Sequence, residues 1–405
     1  MNRRTLTALA IAAALALLAA IVLQHSQRPA SDTGEQSARL VPELHEHVND
    51  VGKVIVTGAG GTVLATLDRG VNGWTLAEKG GYAVDTGKLR DLLLKLADAR
   101  TLEQKTANRD RYAALGVEDV SAKDAKGVLL ELDGLAQPVK LIVGNAGPRG
   151  NGSFVRRADE AQSWLVSPAL TIEKNPADWL RKDLADIAAS RVASVSITRP
   201  DGSHVGVHKE AEGDASFRLD EVPKGREPAE AFTLDAPASM LAGLRFDDVL
   251  PARDAMPPED ALKARFALFD GIVIDVTAWP KDGRDFAQFT ASLDAARADQ
   301  GITAAQAKAR AEFEAASTKA DAEKKPDDAP VKPLAVSDPA KDRAGRLASV
   351  NQELAALQAR FSGWTYVLPA YKYASIDKPP DDFLKPLEPK KPPAAAKPAK
   401  PAAKG

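Results

Sequence analysis

The chain has no cysteine among its 405 residues. This excludes disulfide bridges, thiolate metal sites and cysteine nucleophiles, but it does not fix the compartment, because many exported bacterial proteins also lack cysteine. A strong charge of either sign is absent too, since 54 Lys and Arg face 56 Asp and Glu. Nucleic-acid binding domains are usually basic, so the composition predicts no nucleic-acid partner.

The familiar catalytic signatures are also missing, because there is no His-Glu-x-x-His motif, nucleophile elbow or convincing Ser-x-x-Lys. The glycine-rich stretch Gly58–Thr62 precedes a strand-like segment, whereas a phosphate-binding loop must open a helix. His45 and His47 have no further ligand nearby in the sequence, and His204 and His208 would lie about 13 Å apart along a strand. The sequence therefore predicts no catalytic, cofactor or metal site and a protein that is not an enzyme.

One long hydrophobic run is present near the start of the chain. The residues from Thr5 to Leu23 are uncharged, and Arg3 and Arg4 precede them. Such a helix spans about 28 Å, close to the ~30 Å hydrocarbon core of a bilayer. The arginines predict a cytoplasmic N-terminus, with the bulk of the chain in the periplasm at a bacterial inner membrane. A cleaved signal peptide is the alternative.

Composition changes along the chain predict its further division. Residues 26–50 are polar and irregular, which is typical of a linker, and residues 385–405 contain six Lys, six Pro and six Ala against one acid. Such a tail cannot bury enough apolar surface to fold. The predicted segments are a membrane anchor at 1–25, a linker at 26–50, a first domain at 51–190, a second domain at 191–384 and a disordered tail at 385–405.

Six sequence elements occur twice in the same order, which predicts two domains related by duplication. The matched pairs are Val54–Thr57 with Val195–Thr198, Trp74–Leu76 with Phe217–Leu219, Leu92, Leu93 and Leu96 with Met240, Leu241 and Leu244, Gly127–Leu132 with Gly271–Val276, Trp164–Pro168 with Trp364–Pro369, and Asp178–Arg181 with Asp382–Lys385. Alternating strands, glycine turns and a helix capped by Asp85 indicate antiparallel sheets with packed helices, an α+β class.

The second copy carries an insertion with two helical stripes, at about residues 297–361. The stripes step by three and four residues and contain Ile302, Ala305, Ala309, Phe313 and Ala316, then Leu347, Val350, Leu354, Leu357 and Phe361. This spacing predicts a helical hairpin. The hairpin either contacts a partner or covers its own sheet.

Two regions are candidates for partner contact. The flexible loop Gly144–Gly152 contributes Asn145, Arg149 and Asn151, and the helical hairpin contributes Phe313 and Leu354. The matched tryptophans Trp164 and Trp364 favour core packing over a carbohydrate platform.

Several short motifs resemble the domain of unknown function 4340 family (DUF4340) over roughly residues 50–385. They are Gly73–Leu76, Tyr112–Val117, Val143–Gly144, Phe154–Arg157, Trp179–Arg181 and Trp364–Tyr371. The resemblance implies a membrane-anchored protein that occurs beside ABC-type export permeases and proteins similar to the gliding-motility auxiliary component. It assigns no catalytic residues.

The expected function is that of a non-enzymatic periplasmic accessory protein whose partner is an ABC-type permease or related membrane subunit. The alternative is a module that binds an envelope polymer, peptidoglycan or polysaccharide, through the tryptophan strands or the basic tail. A third possibility is a hydrolase whose carboxylates converge only in three dimensions.

Overall fold

Antiparallel strand pairing dominates the computed structural model of the chain, which describes residues 37–148, 150–322 and 330–386. The side chains of residues 320–322 are not included. The chain divides into two units between Leu180 and Arg181, whereas the boundary predicted from the sequence lies at residue 190. Each unit combines a large antiparallel sheet with helices, so the predicted α+β class is confirmed.

The first unit contains a nine-stranded sheet in the order β4-β3-β2-β1-β6-β7-β8-β9-β5. Its strands are β1 Lys53–Thr57, β2 Val63–Gly70, β3 Gly73–Leu76, β4 Tyr82–Ala83, β5 Arg100–Gln104, β6 Val128–Asp133, β7 Val139–Ala146, β8 Ser153–Arg157 and β9 Ser163–Ser167. Its helices are α1 Pro42–His47, α2 Thr86–Asp98 and α3 Tyr112–Leu115.

Local sequence explains how this sheet begins. The glycine stretch after β1 is a turn between antiparallel strands, as predicted, and Gly60 and Gly61 have φ of 69° and 71°. Glycine adopts such positive angles at little steric cost. Burial alternates strictly along β6, whose first, third and fifth residues are buried. This alternation is what a strand shows when one face covers the core.

Helix α2 buries a stripe of leucines. The Asp85 carboxylate accepts a hydrogen bond of 3.1 Å from the Lys88 amide, which confirms the predicted N-cap. The buried stripe contains Leu89, Leu92, Leu93 and Leu96.

The segment before the first strand corrects the predicted linker over its described part. Residues 42–47 form α1, which packs against α2, and Leu40, Val41 and Leu44 are buried. Leu40 and Val41 directly precede the helix and Leu44 is its one buried residue, so the apolar positions are too few to show a helical period in the sequence.

The second face of the same sheet is covered by the chain between β5 and β6. Tyr112, Val117, Ile142 and Phe154 form a buried cluster there. The Arg156 guanidinium lies 4.7 Å from the centre of the Tyr112 ring. Its Nε donates to the Val117 carbonyl at 2.9 Å. The Tyr112 motif is therefore a structural cover for the sheet.

The second unit contains an eight-stranded sheet in the order β13-β12-β11-β16-β17-β18-β19-β15, and a separate pair, β10 with β14. The strands are β10 Asp183–Ala185, β11 Val192–Thr198, β12 His204–His208, β13 Arg218–Leu219, β14 Leu244–Arg245, β15 Asp248–Pro251, β16 Leu262–Leu268, β17 Ile272–Lys281, β18 Arg284–Leu293 and β19 Trp364–Leu368. The helices are α4 Ala231–Asp235, α5 Ala295–Ala322, α6 Leu334–Ser337, α7 Pro339–Phe361 and α8 Ala370–Ile376.

The two large sheets follow the same strand order when β4 is left out. This order places β16, not β17, in the position of β6, because β6 pairs with β1 and β16 pairs with β11. The predicted match of Gly127–Leu132 with Gly271–Val276 is therefore wrong by one strand. Consecutive buried strands share an apolar pattern, so residue type alone does not distinguish neighbours in a sheet.

Two further details differ from the sequence expectations. The second core helix is interrupted, because α4 ends at Asp235 and a 3-10 helix, Pro237–Leu241, follows. Proline lacks the amide hydrogen that a continuing α-helix needs. Trp164 and Trp364, expected in the core, are only partly buried at the starts of their strands.

Each unit closes with a short backbone pairing next to a buried aromatic residue. In the first unit, Val84 bridges Leu180 and the Asp85 amide donates to the Trp179 carbonyl. In the second, Pro228 bridges Leu384 and the Ala229 amide donates to the Phe383 carbonyl. Trp179 is 1% exposed and Phe383 is 0% exposed.

Among the residues described here, no helix is both long and apolar enough to cross a bilayer. The Thr5–Leu23 segment, for which the membrane span was predicted, lies outside the described residues, as does the tail beyond residue 386.

Truncation of the α2 stripe tests the packing of the first unit. Leu96 is 0% exposed and Leu94 on the same helix is 43% exposed. We expect Leu96→Ala to lower the free energy of unfolding by about 2–5 kcal/mol through lost burial and a cavity. Leu94→Ala, the control, should change it by less than about 0.5 kcal/mol. Urea unfolding measures both, and equal losses would contradict the packing described.

Candidate functional site

Histidine and carboxylate chemistry is dispersed in the described part of the chain. Within residues 37–148, 150–322 and 330–386, no group of three or more potential ligands could hold a metal ion. His47 lies 2.8 Å from Asp50 and His45 lies 3.6 Å from Asp98, both at the surface. His208 is paired with Asp220, and its strand neighbour His204 is exposed.

A cavity of about 590 Å³ lies at the base of the long helices in the second unit. Its walls come from the turn between β16 and β17, the first part of α5, Leu334 of α6 and the middle of α7. Phe269, Ile302 and Val350 provide apolar lining, while Arg191, Asp270 and Glu353 provide charge. An apolar wall with a few charged groups is typical of a recognition site.

Two glycines allow α5 to approach the turn between β16 and β17. A Cβ atom on Gly301 would lie 2.3 Å from the Phe269 carbonyl oxygen, and one on Gly271 would lie 2.6 Å from the Ala298 Cβ. Gly271 also has a φ of +91°, which favours glycine. This close approach fixes where the first of the two helices leaves the sheet.

Arg191 connects three elements across the cavity. Its Nη1 and Nη2 atoms donate to the two Glu353 carboxylate oxygens, each at 2.9 Å, and Nη2 also donates to Asp270 at 2.5 Å. The hydrogen bonds that Arg191 donates to Glu353, and to a lesser extent those to Asp270, raise the pKa of the Arg191 guanidinium, while partial burial opposes this rise. The bidentate geometry holds α7 against the start of β11.

Helices α5 and α7 run antiparallel and are joined by polar bridges. The Gln306 side-chain amide donates to the Pro339 carbonyl at 2.8 Å and to the Asp342 carboxylate at 3.0 Å. The hydrogen bonds from Arg346 and Gln306 lower the pKa of the Asp342 carboxyl. Nearer the sheet, Arg343 pairs with Asp299. The two helices therefore form a hairpin, α5–α7, whose register is set by side chains.

The two halves of α7 differ in their surroundings. Near its end, Leu357 and Phe361 are buried, and the Phe361 ring lies 5.3 Å from that of Phe289 in β18. Here the helix covers its own sheet. Farther out, Leu347, Val350 and Leu354 are only half-buried.

The two hairpin residues that were predicted to contact a partner are both partly exposed. Phe313 of α5 and Leu354 of α7 are half-buried, and Ala316 of the same predicted stripe is exposed. Residues 307–322 continue α5 for about 24 Å beyond its bridge to Pro339. Phe313 lies within that extension, seven residues beyond Gln306.

The loop candidates of the first unit have different positions. Asn145 lies in β7, and its amide donates to the Ala114 carbonyl at 3.4 Å, next to the Tyr112 motif. Gly144 permits this contact, because a Cβ there would lie 2.4 Å from the Leu115 carbonyl oxygen. Asn151 is exposed, and Arg149 lies outside the described residues. The structure does not bring this loop together with any cluster of titratable groups.

The residues of the cavity could not have been found from local sequence. Arg191 is 79 residues from Asp270 and 162 residues from Glu353. No motif spans such separations.

A second charged cluster in the same unit contains Arg199, Asp285, Tyr373 and Asp377. Arg199 Nη1 donates to Asp377 at 2.7 Å. Burial, then the Asp377 charge, raises the pKa of the Asp285 carboxyl. Burial and the same two carboxylates raise the pKa of Tyr373 to about 12. The cluster holds more negative charge than Arg199 neutralises.

Comparison with known proteins gives one match. The model of the family described as domain of unknown function (DUF4340) matches residues 74–264, a range that includes the Tyr112 motif and Arg156. Searches of curated proteins and of solved structures found no match to this chain.

Replacement of Arg191 tests the clamp at the cavity. Arg191→Gln removes the charge-assisted bonds and leaves two carboxylates facing each other, so we expect a loss of about 1–3 kcal/mol in the free energy of unfolding. Amide hydrogen exchange in α7 should also accelerate. The control is Arg265→Gln, which breaks the exposed pair with Asp275 and should cost no more than about 1 kcal/mol. Unchanged exchange in α7 would contradict the clamp.

Asp285→Asn tests the electrostatic cluster through pH. Because the folded-state pKa of Asp285 is raised, its ionisation destabilises the folded state as pH rises above its ordinary pKa of about 3.9. The variant should therefore raise the melting temperature at pH 7, and the gain should shrink towards pH 4. Asp275→Asn, which removes a paired carboxylate, should give no such gain. A variant that is less stable at pH 7 would contradict this account.

Proposed function

Since the chain belongs to the DUF4340 family over residues 74–264, we propose that it is a non-enzymatic, membrane-anchored accessory subunit of an ABC-type transport complex. The Thr5–Leu23 run would hold it at a bacterial inner membrane, with the bulk of the chain in the periplasm. Its partner would be the permease or a related membrane subunit.

The observation that carries this proposal is the continuation of α5 beyond its bridge to the start of α7. Phe361 and Leu357 fasten the inner end of α7, and Arg191 clamps its middle. The outer part of α5 carries the half-buried Phe313, beyond the bridge from Gln306 to Pro339. A rigid helical base with a less covered tip suits protein contact, because groups that are already ordered lose less entropy on binding.

We also propose that the two units arose by duplication. The common strand order supports this, and so does the equivalent closing pair of Val84–Leu180 and Pro228–Leu384. The hairpin connects β18 to β19, whereas residues 158–162 alone connect β8 to β9. An element that one copy replaces with a short turn is not required by the fold, which favours an acquired role.

Binding of an envelope polymer is a second candidate. The partly exposed Trp164 and Trp364 favour it over the core packing that we expected, because exposed tryptophan can stack on apolar faces of a ligand. Retention of the protein on purified peptidoglycan, without any membrane partner, would support this candidate instead.

Co-purification tests the transport proposal. Residues 307–338 can be replaced by a short Gly-Ser linker, because Gln306 and Pro339 are already in contact. We expect the full chain to retain a permease subunit from detergent extracts and the shortened chain to lose it. The point variant Phe313→Ser should reduce recovery at least about tenfold if it removes a contact of roughly 1.4 kcal/mol.

Phe232→Ser is the matched control, since Phe232 is 76% exposed on α4. It should leave recovery unchanged. Far-ultraviolet circular dichroism and the melting temperature check that each variant is folded. Equal recovery with and without the tip, or no partner after mild crosslinking, would contradict the proposal.

A further inference from the structure

A groove of about 1260 Å³ in the second unit lies where the described chain ends. It lies between the segment around residues 225–233 and the final segment around residues 378–386. Pro386, the last described residue, is itself part of the wall. The described chain therefore ends at the wall of the groove.

The groove contains acidic groups without a described counter-ion. Glu227 is paired with Lys385 at 2.9 Å, and Asp381 with Arg226 at 3.3 Å. Glu230 and Asp382 also line it, and neither makes an ion pair with another residue in the described ranges. Both are exposed and able to accept a cation.

The groove already accommodates one lysine of the basic tail. The hydrogen bond that Lys385 donates to Glu227, and to a lesser extent the charge of Glu230, raise the pKa of the Lys385 ammonium. Residues 387–405 carry five further lysines against one glutamate. Lys390 and Lys391 are four and five residues beyond Pro386, a reach of at most about 18 Å. These lysines are within reach of the groove, whose lining has a small acidic excess: Glu227, Glu230, Asp381 and Asp382 against Arg226, Lys378 and Lys385.

We propose that the basic tail of this same chain, residues 387–405, binds in the groove next to Glu230 and Asp382. The tail would bind intramolecularly, at an effective concentration in the millimolar range because its tether is short. Exposed ion pairs are weak and are screened by salt. The contact is therefore a reversible latch, which withholds the tail lysines from other anionic surfaces until such a surface competes for them.

Disulfide trapping tests the latch. Because the chain has no cysteine, only the introduced cysteines can form a disulfide. One variant carries Thr233→Cys in the groove and Ala395→Cys in the tail. The control carries Thr290→Cys, on an exposed position of β18 outside the groove, with the same tail cysteine. At low salt we expect the groove disulfide to form about fivefold faster than the control disulfide. This factor corresponds to one exposed ion pair that contributes about 1 kcal/mol, the upper end of the usual range.

Charge variants decide whether the acids hold the tail. Glu230→Gln with Asp382→Asn should remove the rate difference, as should 1 M salt. Glu259→Gln with Asp260→Asn, two exposed acids outside the groove, should leave it intact. Equal rates at low salt, persistence of the difference in the groove variant, or disulfide-linked dimers in place of the internal bond would each overturn the latch. These results do not depend on whether a permease binds the hairpin.

Discussion

The guanidinium of Arg191 is the constraint on which the orientation of the hairpin depends. One planar cation is shared by Glu353 of α7 and Asp270 of the turn between β16 and β17. Two carboxylates so close would repel without it, because like charges at short range are unfavourable in a partly buried site. Apolar packing of Phe361 fixes where α7 ends, but a hydrophobic contact is not directional. The bidentate bond supplies the direction.

This constraint divides the second unit into a fixed part and an outlying part. The sheet, the inner half of α7 and the close approach at Gly271 and Gly301 form the fixed part. The outer part of α5 extends beyond the bridge at Gln306. An arm of this kind can meet a partner without disturbing the sheet, which is why the proposed function places recognition there.

Much of the architecture could be predicted from periodicity and turn residues. The Asp85 cap, the leucine stripe of α2 and the glycine turns are local signals, and each formed as expected. The two hairpin helices also follow from their spacing of three and four residues. It was harder to predict which strand of the second unit corresponds to β6, because β16 and β17 have similar apolar sequences and only their pairing distinguishes them. Helix α1 was not predicted within the linker, because its few apolar residues stabilise it only through tertiary packing.

The candidate site was less predictable for a physical reason. Arg191, Asp270 and Glu353 come from three separate elements, and a single sequence records no contact between distant residues. Phe313 and Leu354 could be predicted because each belongs to an apolar stripe of one of the two helices, but a stripe does not show which of its positions are covered in the fold. Photo-crosslinking in intact cells tests the central claim most directly, with a photoreactive residue at position 313 or, as control, at position 232. The account predicts a crosslink to an integral membrane subunit from position 313 alone. Equal products from both positions, or none from position 313, would contradict it.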